Sequence, residues 1–483
     1  MVRILAARWA ALAGAIALAA SALAEPVRAP GPASAISAAP PSEASSAPAS
    51  PLGSGVRPAA KRSGGEAAPV SAARPTAPGP TPLAIPEPVK LSEDPRPTLG
   101  PGTFVATLNA AERYGAIIEA GGWPIVPNAL TLAKPGERAP GLAALRKRLV
   151  ASQDLAPEHE SGDILDESVA AALRRFQFRH GLPETGLVGP RTLAQLNVPA
   201  ATRLRQIQAS SARLLGSRFP FGDRYVTVNI PSATVEAVQG GVVHRRYVAI
   251  VGKTDRPSPQ VATRITTVNF NPTWTVPASL VRKDIIPHMR KDPGYMARIK
   301  IRMYDGAGQE VDPATIDWST ERAVNYMLRQ DSGTENSLGE IRLDMPNKHA
   351  VYMHDTPSKR LFAKTSRLQS SGCVRVAGVK DLARWLLDGS PGPDGPGSHW
   401  GSAEIDAAIA VGKRADAKLA KPVPVAWVYL TGYASPDGTV HFRDDVYGLD
   451  ALEPAAGPER SPTAATPPLT LDALITSSVG ERR

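Results

Sequence analysis

One cysteine and one histidine, nineteen positions apart, are the residues in this 483-residue chain whose types best suit nucleophilic chemistry. Cys373 is the only cysteine of the chain, and a thiol reacts as its thiolate, whose proton a nearby imidazole usually accepts. His354 is too distant in sequence to share a helix face with it, so the pair requires two elements joined by a loop. Gly372 permits a tight turn that leaves backbone N–H groups near the sulfur, where they would stabilise an oxyanion.

The alternative interpretation of both residues is structural. A lone cysteine often serves as a small buried hydrophobe, and a lone histidine often has no chemical role. The Ser-Ser-Gly sequence before Cys373 is a poor core sequence, which favours the chemical interpretation. In an exported protein a free thiol is hidden, paired with another molecule, or used in chemistry.

Residues 1–24 have the features of a secretory signal, and this predicts export. Arg3 and Arg8 precede an apolar run over residues 12–20, and Ala-Leu-Ala at 22–24 fits the small-residue cleavage rule. The apolar run is short for a membrane span, so an uncleaved N-terminal anchor is the alternative. After removal of the signal we expect no stable membrane span.

Composition predicts globular domains joined by disordered connectors. The chain has 48 prolines, a hydrophobic content of 42% and a formal net charge of +10, and its length suits two or three domains. The basic residues are scattered without interleaved aromatic residues, which argues against nucleic-acid binding. The eight histidines lack paired spacing to carboxylates or to a second cysteine, so we expect neither a metal site nor a cofactor.

Periodicity and composition predict an α+β multidomain chain, in which a helical unit precedes a β-rich domain. We expect an insertion within the β-rich domain to be either a structural excursion or a lid over a site. The segments in order are the signal (1–24), a Pro/Ala-rich disordered connector (25–103), a scaffold segment (104–140), a three-helix unit (141–197), a linking helix (203–222), the β-rich domain (224–450) with a mixed helical and charged insertion (280–335), and a disordered tail (453–483).

The three-helix unit resembles the peptidoglycan-binding-like domain. The resemblance is carried by "LRKRL", "ILDESVAAALRRFQFRHGL" and "ETGLVGPRTLAQLN". It implies a module that holds the glycan and peptides of the cell wall. The alternative is a unit that only packs against its neighbours.

The β-rich domain resembles the L,D-transpeptidase catalytic domain, and over residues 104–450 the chain is similar to the Gram-negative branch with a capping insertion. The motifs, in chain order, are Arg-Gln followed by Asn-x-Leu-Gly, then His-Asp-Thr-Pro, and then Ser-Gly-Cys-x-Arg. The resemblance implies a periplasmic enzyme of cell-wall organisation and cell shape. It also implies peptidoglycan stem peptides as substrates and acylation by carbapenems.

By this resemblance, Cys373 would attack a tetrapeptide stem before its terminal D-Ala and release that residue. His354 would take the thiol proton and later activate an amine of a second stem, which gives a 3–3 crosslink. The Cys373 amide, the Gly372 peptide and the Tyr352 hydroxyl would stabilise the oxyanion. Many relatives carry histidine where Ser371 stands, so we expect the backbone carbonyl of Ser371, rather than its side chain, to orient His354.

Four further residues are candidate substrate contacts. Arg375 and Arg367 suit the carboxylates of the stem, although ordinary surface pairing fits each equally well. Asn336 lies in a loop rich in hydrogen-bonding side chains, and Trp274 fits the core better than a substrate wall.

Other functions stay open on the sequence alone. With water as the acceptor the same residues give an L,D-carboxypeptidase, and a lipoprotein lysine is another possible acceptor. A non-catalytic wall-anchoring protein would keep the binding unit without the chemistry. A cysteine endopeptidase of unrelated fold lacks a matching local signature.

Overall fold

The computed structural model describes residues 91–451. The predicted signal, most of the predicted connector and the predicted tail from residue 453 lie outside the described residues. Within residues 91–451 we find no helix with the length and apolar character to cross a membrane.

Helices and strands alternate irregularly along this part of the chain. The α-helices are α1 (Thr103–Glu119), α2 (Leu142–Ala151), α3 (Glu167–Arg179), α4 (Pro190–Leu196), α5 (Ala200–Leu214), α6 (Ala278–Leu280), α7 (Ile286–Lys291), α8 (Tyr295–Arg298), α9 (Val379–Leu387) and α10 (Ser402–Ala410). The strands are β1 (Arg224–Asn229), β2 (Thr234–Gln239), β3 (Val242–Gly252), β4 (Val261–Phe270), β5 (Trp274–Thr275), β6 (Ile301–Tyr304), β7 (Glu310–Val311), β8 (Met327–Gln330), β9 (Ile341–Asp344), β10 (Met353–His354), β11 (Leu368–Ser370), β12 (Val374–Val376), β13 (Ala415–Val428), β14 (Gly432–Ala434) and β15 (Val440–Phe442).

A single mixed sheet with the order β11-β3-β12-β10-β9-β4-β13-β1-β2 forms the centre of the β-rich domain. Strand β2 also pairs with β3, so the sheet closes on itself and most strand edges are paired. Val226, Val268 and Leu343 are among the fully buried side chains of its core. The predicted α+β class, with a helical unit before a β-rich domain, is confirmed.

The alternation of apolar residues that predicts β1 is also found in its packing. Val226 and Val228 lie in the main core, whereas Tyr225 belongs to a second cluster on the other face, with Leu214 and Phe219. Both faces of this strand are therefore covered, which explains why its residues are buried almost without interruption.

The insertion has a hydrophobic core of its own. Val281, Ile285 and Met303 belong to this core, which is separate from the core of the central sheet. In addition to short helices, the insertion contains a four-stranded sheet of order β5-β8-β6-β7 that the sequence analysis did not predict. Because β5 belongs to this sheet, the insertion begins near residue 274 rather than at 280. A π-helical turn, Val281–Ile285, joins α6 to α7.

The helical unit before the sheet is formed by α2, α3 and α4, as the apolar stripes predict. Leu145, Val169 and Phe176 are fully buried in one cluster. Helix α3 starts at the N-cap Asp166, whose carboxylate accepts the Val169 N–H at 3.0 Å.

Arginines are buried where this helical unit meets the rest of the protein. Arg179 donates to the Asp154 carboxylate at 2.7 Å, and both side chains are almost completely buried. Arg148 stacks on Trp123 at 3.7 Å from the ring centroid, and Arg203 is also buried. Burial lowers the pKa of Arg148 to about 9, because desolvation disfavours its charge. The single carboxylate of Asp154 is therefore important for the stability of this cluster.

The end of the predicted connector is ordered, which corrects the expectation of disorder through residue 103. The Arg246 guanidinium donates to the carbonyl of Asp94 at 2.6 Å, and the Thr98 hydroxyl donates to Glu236 at 2.9 Å. Polar groups of residues 91–103 therefore form hydrogen bonds with side chains of β2 and β3. Composition alone does not reveal these contacts.

Candidate active site

Strand pairing puts Cys373 and His354 on the same face of the central sheet. Strands β10 and β12 are parallel, with Met353 opposite Val374, and the Val374 N–H donates to the Tyr352 carbonyl at 3.2 Å. Met353 and Val374 are fully buried in the core. Because side chains alternate along a strand, Cys373 and His354 share the opposite face as diagonal neighbours.

Cys373 is half-buried as a residue. The backbone of Tyr352 and the positive charges of Arg375 and Arg342 favour the thiolate. Burial has the larger effect and raises the pKa of Cys373 to about 11. The thiol is therefore protonated at neutral pH.

The His354 ring is buried, with 5% of the residue exposed. Burial and the charge of Arg375 lower the pKa of His354 to about 3, while the backbone of Asp355 and Leu338 opposes this shift. Among the described residues, Nδ1 of the ring has no hydrogen-bond partner. The imidazole is therefore neutral at neutral pH and has a free nitrogen.

These two pKa shifts change the expected resting state of the pair. A preformed thiolate beside an imidazolium does not fit a thiol with a pKa near 11 and an imidazole with a pKa near 3. Proton transfer from the thiol to the neutral imidazole during attack, which is general-base catalysis, is the alternative to a preformed ion pair.

Tyr352 lies beside both groups. Its ring centroid is 5.6 Å from that of His354, and the guanidinium of Arg342 lies 4.9 Å from the Tyr352 ring centroid. Burial and the neighbouring Cys373 raise the pKa of Tyr352 above its ordinary value. The hydroxyl is therefore protonated and able to donate a hydrogen bond to an oxyanion.

The loop that carries Cys373 is held by two serine hydroxyls. Ser258 Oγ donates to the Gly372 carbonyl at 2.8 Å, and Ser370 Oγ donates to the Cys373 carbonyl at 2.5 Å. Gly372 has φ +114°, a conformation that favours glycine. Its N–H already donates to Ser370 Oγ, whereas the Cys373 N–H has no acceptor within residues 91–451. The free backbone donor at the sulfur is thus that of Cys373.

Ser371 is exposed and lines the larger cavity. Its Oγ accepts a hydrogen bond from Arg256 Nη1 at 3.2 Å. The backbone hydrogen bonds that act on the His354 ring come from Asp355 and Leu338. The orienting role of the Ser371 carbonyl stays a prediction.

Two cavities lie beside the sheet, and Trp274 contributes to both. The larger, of about 540 Å³, lies between the insertion and the sheet and is lined by Ser371 and Arg375. The smaller, of about 360 Å³, is lined by Tyr352 and Arg342. Trp274 is half-buried and also packs against the core of the insertion, so both the core and the substrate-wall interpretations stay predictions.

The other candidate contacts separate into two groups. Arg375 lines the larger cavity, is half-buried and forms no ion pair with a carboxylate of residues 91–451. Arg367 instead donates to the carbonyl of Ser232 at 3.0 Å, and it lines neither cavity. Asn336 is buried and donates to the carbonyls of Pro272 and Asp331, so it shapes a loop.

Sequence reasoning missed Ser258 and Arg256, and it named Asp355 only as part of the His-Asp-Thr-Pro motif. Ser258 and Arg256 lie more than 110 positions before Cys373, in the loop between β3 and β4, and no local pattern marks them. Asp355 is buried and accepts the Glu340 N–H at 3.1 Å. Its position directly after His354 was the one available signal.

Comparison with known proteins agrees with this geometry. Residues 223–393 match the family model of the L,D-transpeptidase catalytic domain, and residues 138–196 match a "Putative peptidoglycan binding domain". A Haemophilus influenzae protein described as "Putative L,D-transpeptidase" is 33% identical over 226 residues, which are 47% of this chain and 44% of that protein. Residues 138–196 and 223–393 are therefore similar to a peptidoglycan-binding domain followed by an L,D-transpeptidase catalytic domain.

Solved structures with some likeness include two L,D-transpeptidases. The one from Xylanimonas cellulosilytica has 16% identity and a TM-score of 0.21, and the match covers 62% of this chain and 100% of that chain. The one from Stackebrandtia nassauensis has 12% identity and a TM-score of 0.22, with 54% and 91% covered. Scores of this size carry no argument, and the assignment depends on the sequence matches.

Proposed function

We propose that this protein is a periplasmic L,D-transpeptidase that forms 3–3 crosslinks between peptidoglycan stems. The observation that carries the proposal is the pair on the sheet face, a partly exposed thiol with a neutral imidazole as its diagonal neighbour. The matched relative is more than twice as long as its matched part, so the activity of the whole protein is inferred here from the site.

In the first half-reaction, Sγ of Cys373 attacks the carbonyl carbon that joins the third residue of a tetrapeptide stem to the terminal D-Ala. His354 accepts the thiol proton as the S–C bond forms. The carbonyl oxygen becomes an oxyanion, which the Cys373 N–H and the Tyr352 hydroxyl stabilise. Collapse breaks the C–N bond, the proton passes to the leaving amine, and D-Ala departs from a thioester.

In the second half-reaction, an amine from the side chain of another stem attacks the thioester. His354 takes a proton from this amine, and the sulfur leaves and regains a proton. The product is an amide between two third-position residues, and the enzyme returns to its starting state. Water in place of the amine would give a tripeptide, which is the carboxypeptidase alternative.

The cavities supply room for two stems. A stem peptide carries carboxylates, and Arg375 offers a half-buried guanidinium without a carboxylate partner among residues 91–451, so it suits such a group. The half-buried side chain of Trp274 lines both cavities and suits the apolar parts of the peptides.

The remaining parts of the proposal concern location and attachment. The signal-like residues 1–24 support export to the periplasm, and cleavage after residue 24 would appear as a mature N-terminus at Glu25 in a periplasmic extract. The peptidoglycan-binding domain supports attachment to the wall, so we expect purified protein to co-sediment with isolated sacculi.

The decisive experiment incubates purified protein with a disaccharide-tetrapeptide and identifies the products by mass spectrometry. A crosslinked dimer with release of D-Ala is expected. Tripeptide alone would favour the carboxypeptidase, and an unchanged substrate would favour a non-catalytic anchoring protein. The Cys373→Ala variant is the matched control and should leave the substrate intact while still binding sacculi.

A carbapenem provides an independent test of the nucleophile. Its strained amide would acylate Cys373, so intact-mass spectrometry should show one adduct in the wild-type protein. An adduct that persists in Cys373→Ala would assign the reaction to another group and contradict the proposal.

A further inference from the structure

The insertion is joined to the sheet at one place. The chain leaves the sheet at Phe270, the last residue of β4, and returns at Ile341, the first residue of β9, and these two residues are paired neighbours. Because the insertion has its own hydrophobic core, it is a separately packed unit. Two neighbouring chain segments connect it to the central sheet. Such a unit can move as a rigid body about its connections.

Arg256 in the loop between β3 and β4 connects the sheet side of the larger cavity to the insertion. Its guanidinium contacts the Asp284 carboxylate in bidentate fashion, with N–O distances of 2.6 and 2.8 Å. A bidentate pair is directional as well as strong, so it fixes relative orientation. Asp284 belongs to the π-helical turn, and its neighbour Ile285 is buried in the insertion core. The position of Asp284 therefore follows the position of the whole insertion.

The same guanidinium contacts the loop of the nucleophile. Arg256 Nη1 donates to Ser371 Oγ at 3.2 Å, two residues before Cys373. The backbone of Arg256 lies against Gly252, the last residue of β3. The approach is so close that a Cβ at Gly252 would lie 2.2 Å from the Arg256 carbonyl oxygen. One side chain thus bridges the insertion and the nucleophile loop, and both ends line the larger cavity.

We propose that Arg256 is a positioning residue for the transfer reaction. Its pair with Asp284 holds the insertion down over the larger cavity, and its bond to Ser371 couples that closure to the placement of Cys373. Separation of the pair admits a stem peptide, and its re-formation aligns the thiol for attack. This inference rests on the proposed function, because it assigns the stem peptide to this cavity.

The test compares Arg256→Lys and Asp284→Asn, singly and together, with the wild type. Lysine keeps the charge but loses the bidentate geometry, and asparagine keeps the shape of aspartate. We expect kcat on the disaccharide-tetrapeptide to fall by about 10- to 100-fold, because small displacements of reacting groups have effects of this size. The double variant should be no slower than the slower single variant, since both substitutions break the same Arg256–Asp284 contact.

Arg282→Lys is the matched control. Arg282 lies on the same π-helical turn, and it pairs at 3.0 Å with Glu321, which also belongs to the insertion. Its kcat should stay within about twofold of the wild type, as exposed pairs contribute little.

Hydrogen–deuterium exchange gives a readout of the movement. Amides of residues 276–330 should exchange faster in Arg256→Lys and Asp284→Asn, but not in Arg282→Lys. Unchanged kcat and exchange in the two test variants would overturn the inference, and so would equal losses in the control. If the wild type itself forms no acyl-enzyme, the proposed function fails instead.

Discussion

Replacement of His354 by glutamine should change both the rate of acylation at Cys373 and its dependence on pH. With a thiol pKa near 11 and an imidazole pKa near 3, both groups are neutral from about pH 5 to pH 9. If the imidazole acts as general base, the wild-type rate of acylation by a carbapenem is flat across this range.

The size of the loss follows from the thiol. A pKa near 11 leaves about one thiolate in 10⁴ at pH 7, and general-base assistance typically contributes a factor of about 10² to 10⁴. His354 is neutral and is not among the charged groups that act on the thiol, so its removal leaves the pKa of Cys373 high. We therefore expect His354→Gln to be about 10²- to 10⁴-fold slower than the wild type at pH 7.

The variant should recover as the pH rises. Its reaction proceeds through the small thiolate fraction, so its rate should increase about tenfold per pH unit, and the deficit should shrink about 100-fold by pH 9. Stopped-flow absorbance with intact-mass confirmation measures both profiles. His349→Gln, at an exposed position nearby, is the control. A wild-type rate that rises in parallel with the variant, or that inflects near pH 6.5, would refute the general-base argument.

Three further predictions concern stability and the nucleophile loop. Asp154→Asn should lower the free energy of unfolding, measured in urea, by about 3 to 5 kcal/mol, because it leaves the buried Arg179 unpaired. The control is Glu167→Gln in an exposed ion pair, which should change this free energy by less than about 1 kcal/mol. Ser258→Ala should slow acylation of Cys373 and lower the free energy of unfolding by about 1 to 3 kcal/mol, because the Gly372 carbonyl and the Gly252 N–H lose their hydroxyl partner. An unchanged acylation rate would contradict the role of Ser258 in holding the nucleophile loop. In the unfolded chain His354 has its ordinary pKa of 6.5, so the unfolded state binds a proton more readily than the folded state. The contribution of His354 to the free energy of unfolding is therefore complete above pH 6.5 and declines by about 1.4 kcal/mol per pH unit towards pH 3. Urea unfolding curves of His354→Gln should lack this part of the decline.

The parts of the site that were predictable are local in sequence. Val374 and Val376 alternate with Cys373 and Arg375, and this period of two assigns the valines to the core and the thiol to the opposite face. The cysteine and the histidine differ from their surroundings by residue type alone. Helical spacing likewise predicted the stripes of the peptidoglycan-binding domain, because each stripe is a property of one helix.

The parts that were not predictable depend on contacts between distant segments. Ser258 supports the Gly372 carbonyl across more than 110 residues, and its own segment has no pattern that marks this role. The ordered stretch at Thr98 depends on a carboxylate of β2, although its composition is typical of a disordered connector. The resting charge state of Cys373 and His354 was also beyond the sequence, since it depends on burial, which is set by the tertiary structure.

A high pKa at the only cysteine suits an exported enzyme. Oxidation of thiols follows thiolate character and exposure, so a thiol with a pKa near 11 that is only partly exposed resists oxidation while it waits for substrate. The same thiol becomes reactive when a bound carbonyl and the neutral His354 are aligned with it, because proton removal then accompanies attack. In the oxidising compartment that we propose, reactivity would thus depend on the substrate rather than on a permanent thiolate. The closure of the insertion that we propose would serve the same end, since it would exclude water from the cavity beside the nucleophile loop.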